Sequence, residues 1–233
     1  MRYAIGDIHG CYKTLVKLIE ENLKVQKEDE VYFVGDYIDR GPGSRQVVDY
    51  LIQRIEQGHL FYPVRGNHEE MLIDAWVHQT TDHFMLWMLN GAEETLLSYH
   101  VDYQRHADEA CLKEFPEEHL DFFRKLPYYI ELEDYIIVHA GINFKAGEPL
   151  KDTRSMVWCR DCKNDLKQSG NRTVVAGHTP TPLEKIRKRL RKNQPGIINI
   201  DAGCVYKAYR DMGNLVALDL DNLDLYWEEN IDF

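Results

Sequence analysis

Positive charge is scarce in this chain: 28 Lys and Arg face 39 Asp and Glu, a formal net charge of −11. That balance opposes attraction to the phosphate backbone of nucleic acid or to an anionic membrane, so neither is expected as a partner. Long apolar runs are missing as well. None approaches the ~20 residues of a membrane span. The opening MRYAIGDIHG enters a strand-like segment without the charged-then-apolar order of a secretory signal. A cytoplasmic protein is expected. Cysteine is sparse and unpatterned: Cys11, Cys111, Cys159, Cys162 and Cys204 are odd in number and irregular in spacing. That is unlike a secreted disulfide framework, and reduced thiols are expected. No internal repeat or low-complexity linker breaks the 233 residues, which fits a single domain over 1–233.

What is present is a series of short β-rich runs. RYAIG, EVYFVG and LFYPVRG are bounded by glycine and separated by CYKTLVKLIEENLK and SRQVVDYLIQRIEQG, whose apolar residues recur at helical spacing. A β-α-β-α-β order favours parallel strands covered by helices. Residues 69–125 are mostly helical in pattern and are expected to form a helical cap or insertion. PYYIEL, YIIVHAG, TVVAGHT, GIINIDAG, NLVALDL and NLDLYW follow closely, and their turn-rich spacing suggests antiparallel pairing. The expected architecture is a mixed α/β (α+β) fold, two mixed sheets packed as a sandwich and flanked by helices.

The polar residues collect where these strands end. GDIHG carries Asp7 and His9; GDYIDRG carries Asp36, Asp39 and Arg40; RGNHE carries Arg65, Asn67 and His68; VHAG and AGHTP carry His139 and His178. In open sheets, ligands gather at the ends of strands. Asp7 and His9 are two apart, so in an extended chain both face one side and can grip one ion. A single Asp-x-His is commonly a turn or cap; five Gly-flanked clusters of Asp, Asn and His are not explained that way. Oxygen and imidazole donors without thiolate suit manganese, iron or zinc and disfavour calcium. His59, His78, His83, His100, His106 and His119 lack such framing and are read as ordinary surface or core residues.

These motifs resemble those of the calcineurin-like metallophosphoesterases, and in particular the serine/threonine phosphoprotein phosphatases of bacterial and phage-lambda type. The similarity runs from Asp7 to His178 and continues through NIDAGCVYK and GNLVALDL. By that resemblance, Asp7, His9 and Asp36 hold one divalent metal. Asp36 also bridges to a second, held by Asn67, His139 and His178. Manganese is the expected ion, with iron or zinc as alternatives, and a bridging hydroxide attacks phosphorus in line. Arg40, Arg65 and Arg160 offer planar forks to phosphate oxygens. His68 protonates the leaving oxygen and Asp39 orients it; following Asn67 directly, His68 is expected to point away from the metals.

The implied reaction is hydrolysis of phosphoserine or phosphothreonine in a phosphoprotein or phosphopeptide. A symmetrical diadenosine tetraphosphate hydrolase is the rival on the same core. That group tends to lack the aspartate at position 39 and to carry Asp at position 69, so GDYIDRG and GNHEE tilt toward a protein phosphatase. A catalytically silent phosphate-binding adaptor is a third reading, opposed by the complete set of ligands and acid. Cys159-x-x-Cys162 lacks two further ligands for a zinc site and is read as structural. Trp76 and Trp87 are read as core. The basic stretch Lys185–Lys192 is read as a solvated face, with an acidic-substrate contact as the alternative because it begins soon after His178.

Overall fold

A computed structural model of the chain describes residues 1–103, 109–192 and 194–233; His106 and Asn193 lie outside the described residues. Strand β1 (Arg2–Ile5) leads into α1 (Tyr12–Val16), which continues as a π-helical segment, Lys17–Leu23. Then come β2 (Glu30–Phe33), α2 (Ser44–Glu56) and β3 (Leu60–Pro63). β1, β2 and β3 are parallel, with Tyr3 opposite Val31 and Val31 opposite Phe61. The cap follows as α3 (Asn67–His78), α4 (Thr81–Met88), α5 (Ala92–Ser98), a 3₁₀ turn (Glu109–Glu114) and α6 (Glu117–Lys125). The second half adds β4 (Tyr129–Glu131), β5 (Tyr135–Val138), α7 (Thr153–Trp158), β6 (Thr173–Ala176), α8 (Leu183–Leu190), β7 (Ile197–Asn199), β8 (Asn214–Asp219) and β9 (Leu225–Glu229).

Two sheets result, of order β3-β2-β1-β8-β9 and β4-β5-β6-β7. The period-2 alternation of strand side chains separates their cores. Ala4, Tyr32, Val216 and Leu218 face the second sheet and meet Ile137, Val175 and Ile198. Their neighbours Tyr3, Ile5, Val31, Phe33 and Leu215 face outward and pack with Leu15, Val48, Leu51 and Leu72 of the covering helices. The outer face of the second sheet, Ile136, Val138, Val174 and Ala176, is closed by Met156 of α7 together with Ile142 and Phe144.

The expected antiparallel pairing of the second half holds for β4–β5, β1–β8 and β8–β9, but β5, β6 and β7 run parallel. The reason lies in the connections. Three residues join β4 to β5, short enough for a hairpin, whereas the β5–β6 and β6–β7 crossovers each contain a helix and can return the chain to the same end. Consequently β1, β2, β3, β5, β6 and β7 all deliver their C-terminal ends to one edge of the sandwich. Among the described residues no helix is long and apolar enough to cross a membrane.

Candidate active site

Five of the motif residues at that edge sit on backbone that turns sharply. His9, Asp36, Asp39, Arg40 and His178 all have positive φ, 47°, 56°, 72°, 70° and 69°. Non-glycine residues avoid this region unless the surroundings over-determine it, and such residues cluster at functional sites. The surroundings here are specific: the backbone amides of Ile8 and His9 both donate to the Asp36 carbonyl. The buried Glu69 carboxylate accepts from the amides of Asp36, Tyr37, Ile38 and Gly66. His9 is therefore placed by a left-handed turn, not by the strand alternation that its spacing from Asp7 suggested.

The ligand atoms of Asp36, His139 and His178 lie within 4.8 Å of one another, and so do those of His9, Asp36 and His68, so Asp36 is common to both groups. Asn67 Oδ1 joins the first group, 2.8 Å from His139 Nε2 and 2.8 Å from His178 Nδ1. His9 Nδ1 lies 2.9 Å from the Ile38 carbonyl and His139 Nδ1 2.8 Å from that of Val34. Each Nδ1–H donates outward, which turns the Nε2 lone pair into the site, the usual second-shell arrangement of a ligating histidine. Asp7 keeps one oxygen on the His178 amide at 2.9 Å, while its Oδ1 is buried with no hydrogen-bond partner. An orphaned carboxylate oxygen, inward imidazoles and an amide oxygen form a donor set that fits a pair of divalent cations.

Electrostatics divides the labour. Burial opposes charge on Asp36, but His139, His68 and His9 around it hold its carboxyl well below the usual range. Burial, with help from Arg40, lowers His9; burial lowers His139. Burial, His139 and the nearby charge of Arg160 bring His178 down to about 3. Neutral imidazoles are what a metal needs. His68 goes the other way: burial works against its charge, yet Asp36 and the hydrogen-bonded Asp39 outweigh burial and raise it.

His68 does not point away from the ligands. The first turn of α3 presents Asn67 and His68 together, and His68 Nε2 lies 3.9 Å from Asp36 Oδ2, with no hydrogen-bond partner. Its Nδ1 is held by Asp39 Oδ2 at 2.6 Å. Asp39 is wholly buried and receives two more donors, Trp87 Nε1 at 2.9 Å and the Thr95 hydroxyl at 2.6 Å. Trp87 is core, as read from the sequence, and also a support for the acid. Thr95 escaped sequence reasoning, as did Asp201. The latter follows β7 in NIDAG, is buried, and is pushed up to about 7 by burial and by Asp36. The rule that polar residues collect at strand ends, applied to β7, would have found it.

The three arginines separate. Arg40 Nη1 sits 2.6 Å from His9 Nε2, at the site. Arg160 is exposed, in the loop that follows α7. Arg65 is not free to fork a phosphate. Its guanidinium donates to Glu70 (2.9 Å), the Tyr128 hydroxyl (3.0 Å) and the Arg124 carbonyl (2.7 Å), leaving only Nε unpaired. A phosphate there must displace one of those partners. The expectation of reduced thiols fails for one pair: Cys159 and Cys162 form a disulfide, because the turn ending α7 brings their Cα atoms to 5.8 Å. α8 begins near the site but runs toward the opposite end of the strands, where Arg189 donates to the Ile197 and Gln194 carbonyls.

The chain is 28% identical to an asymmetrical bis(5'-nucleosyl)-tetraphosphatase PrpE of Anoxybacillus flavithermus, over 92% of this chain and 88% of that one. It is 29% identical to serine/threonine-protein phosphatase 1 of Salmonella typhimurium, over 88% of this chain and 87% of that one. Its fold is that of a protein serine/threonine phosphatase of Saccharomyces cerevisiae, with a TM-score of 0.64 at 16% identity, covering 100% of this chain and 80% of the other. The calcineurin-like phosphoesterase family matches residues 3–211. On that match and on the shared-aspartate site, the chain belongs to the calcineurin-like phosphoesterases.

Proposed function

We propose that the chain is a metal-dependent phosphomonoesterase acting on phosphoserine and phosphothreonine in proteins. The observation that carries this reading is the buried His68–Asp39 couple, whose Nε2 is unpartnered beside Asp36. A serine alkoxide is a poor leaving group and needs a proton as it departs; a nucleotide phosphate leaving an anhydride does not. A raised His68 supplies that proton from Nε2, while Nδ1–H stays on Asp39. Two divalent cations in the Asp36-centred site supply an activated water and a clamp on the phosphate oxygens. Manganese fits donors that are oxygen and imidazole only. Arg40 stands where it can bind the remaining phosphate oxygens. The reading carries with it a phosphoprotein or phosphopeptide partner, a cytoplasmic setting and no nucleic-acid or membrane partner, as the net charge of −11 supports.

A second reading, dinucleoside tetraphosphate hydrolysis, is favoured by relatives named asymmetrical bis(5'-nucleosyl)-tetraphosphatases, whereas the rival expected from the sequence is the symmetrical kind. A pocket of about 460 Å³ beside Arg40, lined by Leu89, Val205 and Tyr206, is large enough for a base to stack in. The two are separated by kcat/KM for a phosphoserine peptide and for a dinucleoside tetraphosphate, measured side by side in Mn²⁺. The peptide is expected to be the better substrate; a preference for the tetraphosphate replaces the first reading with the second.

A further inference from the structure

The segment Cys159-Arg160-Asp161-Cys162 packs on the loop that carries His139 and directly follows Trp158, whose ring faces His178. α7 ends at Trp158, where the Cys159 amide closes the last turn onto the Ser155 carbonyl at 3.0 Å. One turn earlier, the Met156 carbonyl accepts from the amide of Ala140, the residue after His139, at 2.7 Å. The Trp158 ring stands edge-on to the His178 ring, with centroids 6.3 Å apart. On the other side, Cys162 packs so closely on Gly141 that a Cβ there would lie 2.9 Å from the Cys162 Cβ. The disulfide between Cys159 and Cys162 thus encloses Arg160 in a short loop pinned beside His139 and His178. Closing so short a loop constrains the unfolded chain less than a long-range bridge does, so its effect is mainly local.

The bridge is also reachable. Cys159 and Cys162 are half-buried and line a pocket of about 530 Å³ with Lys145 and Lys163, while the other three cysteines are buried. Lys145 and Lys163 are balanced there by Asp161 and Asp165, and the opening of the pocket lets an external thiolate reach the bridge for thiol–disulfide exchange. We propose that Cys159–Cys162 is a reversible redox site that positions Arg160 at the rim of the phosphate site, fixing it when oxidised and releasing it when reduced. The consequence for phosphate rests on the phosphoesterase reading above. The reductant is a dithiol: one of its thiolates attacks a bridge sulfur to form a mixed disulfide, and its second thiol displaces that cysteine. Two electrons and two protons reach the pair, and the reductant leaves as its own disulfide. A peroxide reverses the change. One cysteine thiolate takes an oxygen from it to become a sulfenic acid with release of water, and the other cysteine displaces a second water as the bridge re-forms.

The test titrates inorganic phosphate into the Mn²⁺-loaded protein by calorimetry: oxidised, after a dithiol reductant is applied and removed, and after peroxide. Alkylation of the native protein, read by mass, counts accessible thiols in each state. Two thiols are expected to appear on reduction, with phosphate binding weakened about tenfold, and both changes are expected to reverse with peroxide. The doubly substituted Cys159→Ser, Cys162→Ser protein should bind phosphate weakly in every state, and Arg160→Ala should bind weakly whether oxidised or reduced. An unchanged Kd when two thiols are counted overturns the proposal. So does a bridge that opens only on unfolding, or a double variant that binds as tightly as the oxidised protein. Because binding is read, a protein inactive on phosphoserine but active on a tetraphosphate leaves the test intact. Failure of phosphate to bind either state overturns both the effect and the phosphoesterase reading.

Discussion

His68 and the groups tied to it make the acid role testable one residue at a time. Removing the imidazole in His68→Ala is expected to slow hydrolysis of alkyl phosphates by about 10²–10⁴-fold, the usual worth of a positioned acid. p-Nitrophenyl phosphate, whose leaving group departs unaided, should lose far less. The check is kcat at saturating Mn²⁺ across esters of graded leaving-group pKa; a slope no steeper than that of the unsubstituted protein removes His68 from the role. The pH dependence has a definite sign. Asp36 and Asp39 raise His68, so its proton persists to higher pH, and kcat for a poor leaving group falls as pH rises through that raised value. Asp39→Asn removes one raising carboxylate and should move the falling limb to lower pH. An unmoved limb would mean that another group titrates.

Two elements carry consequences of their own. The β6–α8 loop brings Gly177 against Asp7 so tightly that a Cβ would lie 1.9 Å from Asp7 Oδ1 and 2.8 Å from Val34 Cγ2. Gly177→Ala should therefore cost about 1–3 kcal/mol, as overpacking does, and should swing Asp7 aside. Tm and bound Mn²⁺ per chain measure both effects, and a full metal complement in the variant would mean that Asp7 is no ligand. α8 is expected to be silent in catalysis, since its C-terminal half stands at the far end of the strands. Lys188→Glu with Arg191→Glu should leave KM for an acidic phosphopeptide within about twofold, because exposed charges are screened over ~8–10 Å. A larger rise at low salt would restore a substrate role to the helix.

At the scale of the whole molecule, the dominant feature is the carboxylate cluster at the shared strand edge. Burial, with Asp201 and Asp36, holds Asp7 well above the ordinary range; burial and Asp36 push Glu69 up to about 8, and Asp201 is up at about 7. Groups with raised folded-state pKa bind more protons folded than unfolded. Their contribution to stability is full below the ordinary carboxylate range and is lost as pH rises through about 7 and about 8. In excess chelator, Tm should accordingly fall as pH rises from about 7 to 8, above the window in which His9, His139 and His178, held neutral in the fold, add stability with rising pH. Mn²⁺ at 100 times its Kd should add about 2.7 kcal/mol and flatten that fall, and Asp36→Asn, which touches both ligand groups, should abolish the gain. Thermal melts across pH, with and without Mn²⁺, read all three; a Tm rising toward pH 8 in chelator would refute the carboxylate account.

The strands and most of the site residues were legible in the sequence because both are local. A short apolar run ending in Gly-Asp, His-Ala-Gly or Gly-His announces a buried strand and the polar loop beyond it, where Asp7, His9, Asp36, His139 and His178 sit, while Asn67 of Gly-Asn-His opens α3 just past β3. What local pattern cannot carry is decided at long range. Whether β6 pairs parallel or antiparallel depends on where a crossover helix finds room to pack. Asp39 draws its support from Trp87 and Thr95, 48 and 56 residues away on cap helices whose helical spacing marks them only as buried. Arg65 reads as a phosphate fork until tertiary packing gives it to Glu70, Tyr128 and Arg124. Cys159 and Cys162 read as independent thiols until the turn after α7 brings them together. Residue type supplies the available chemistry, and close packing determines which partner each polar group finds first.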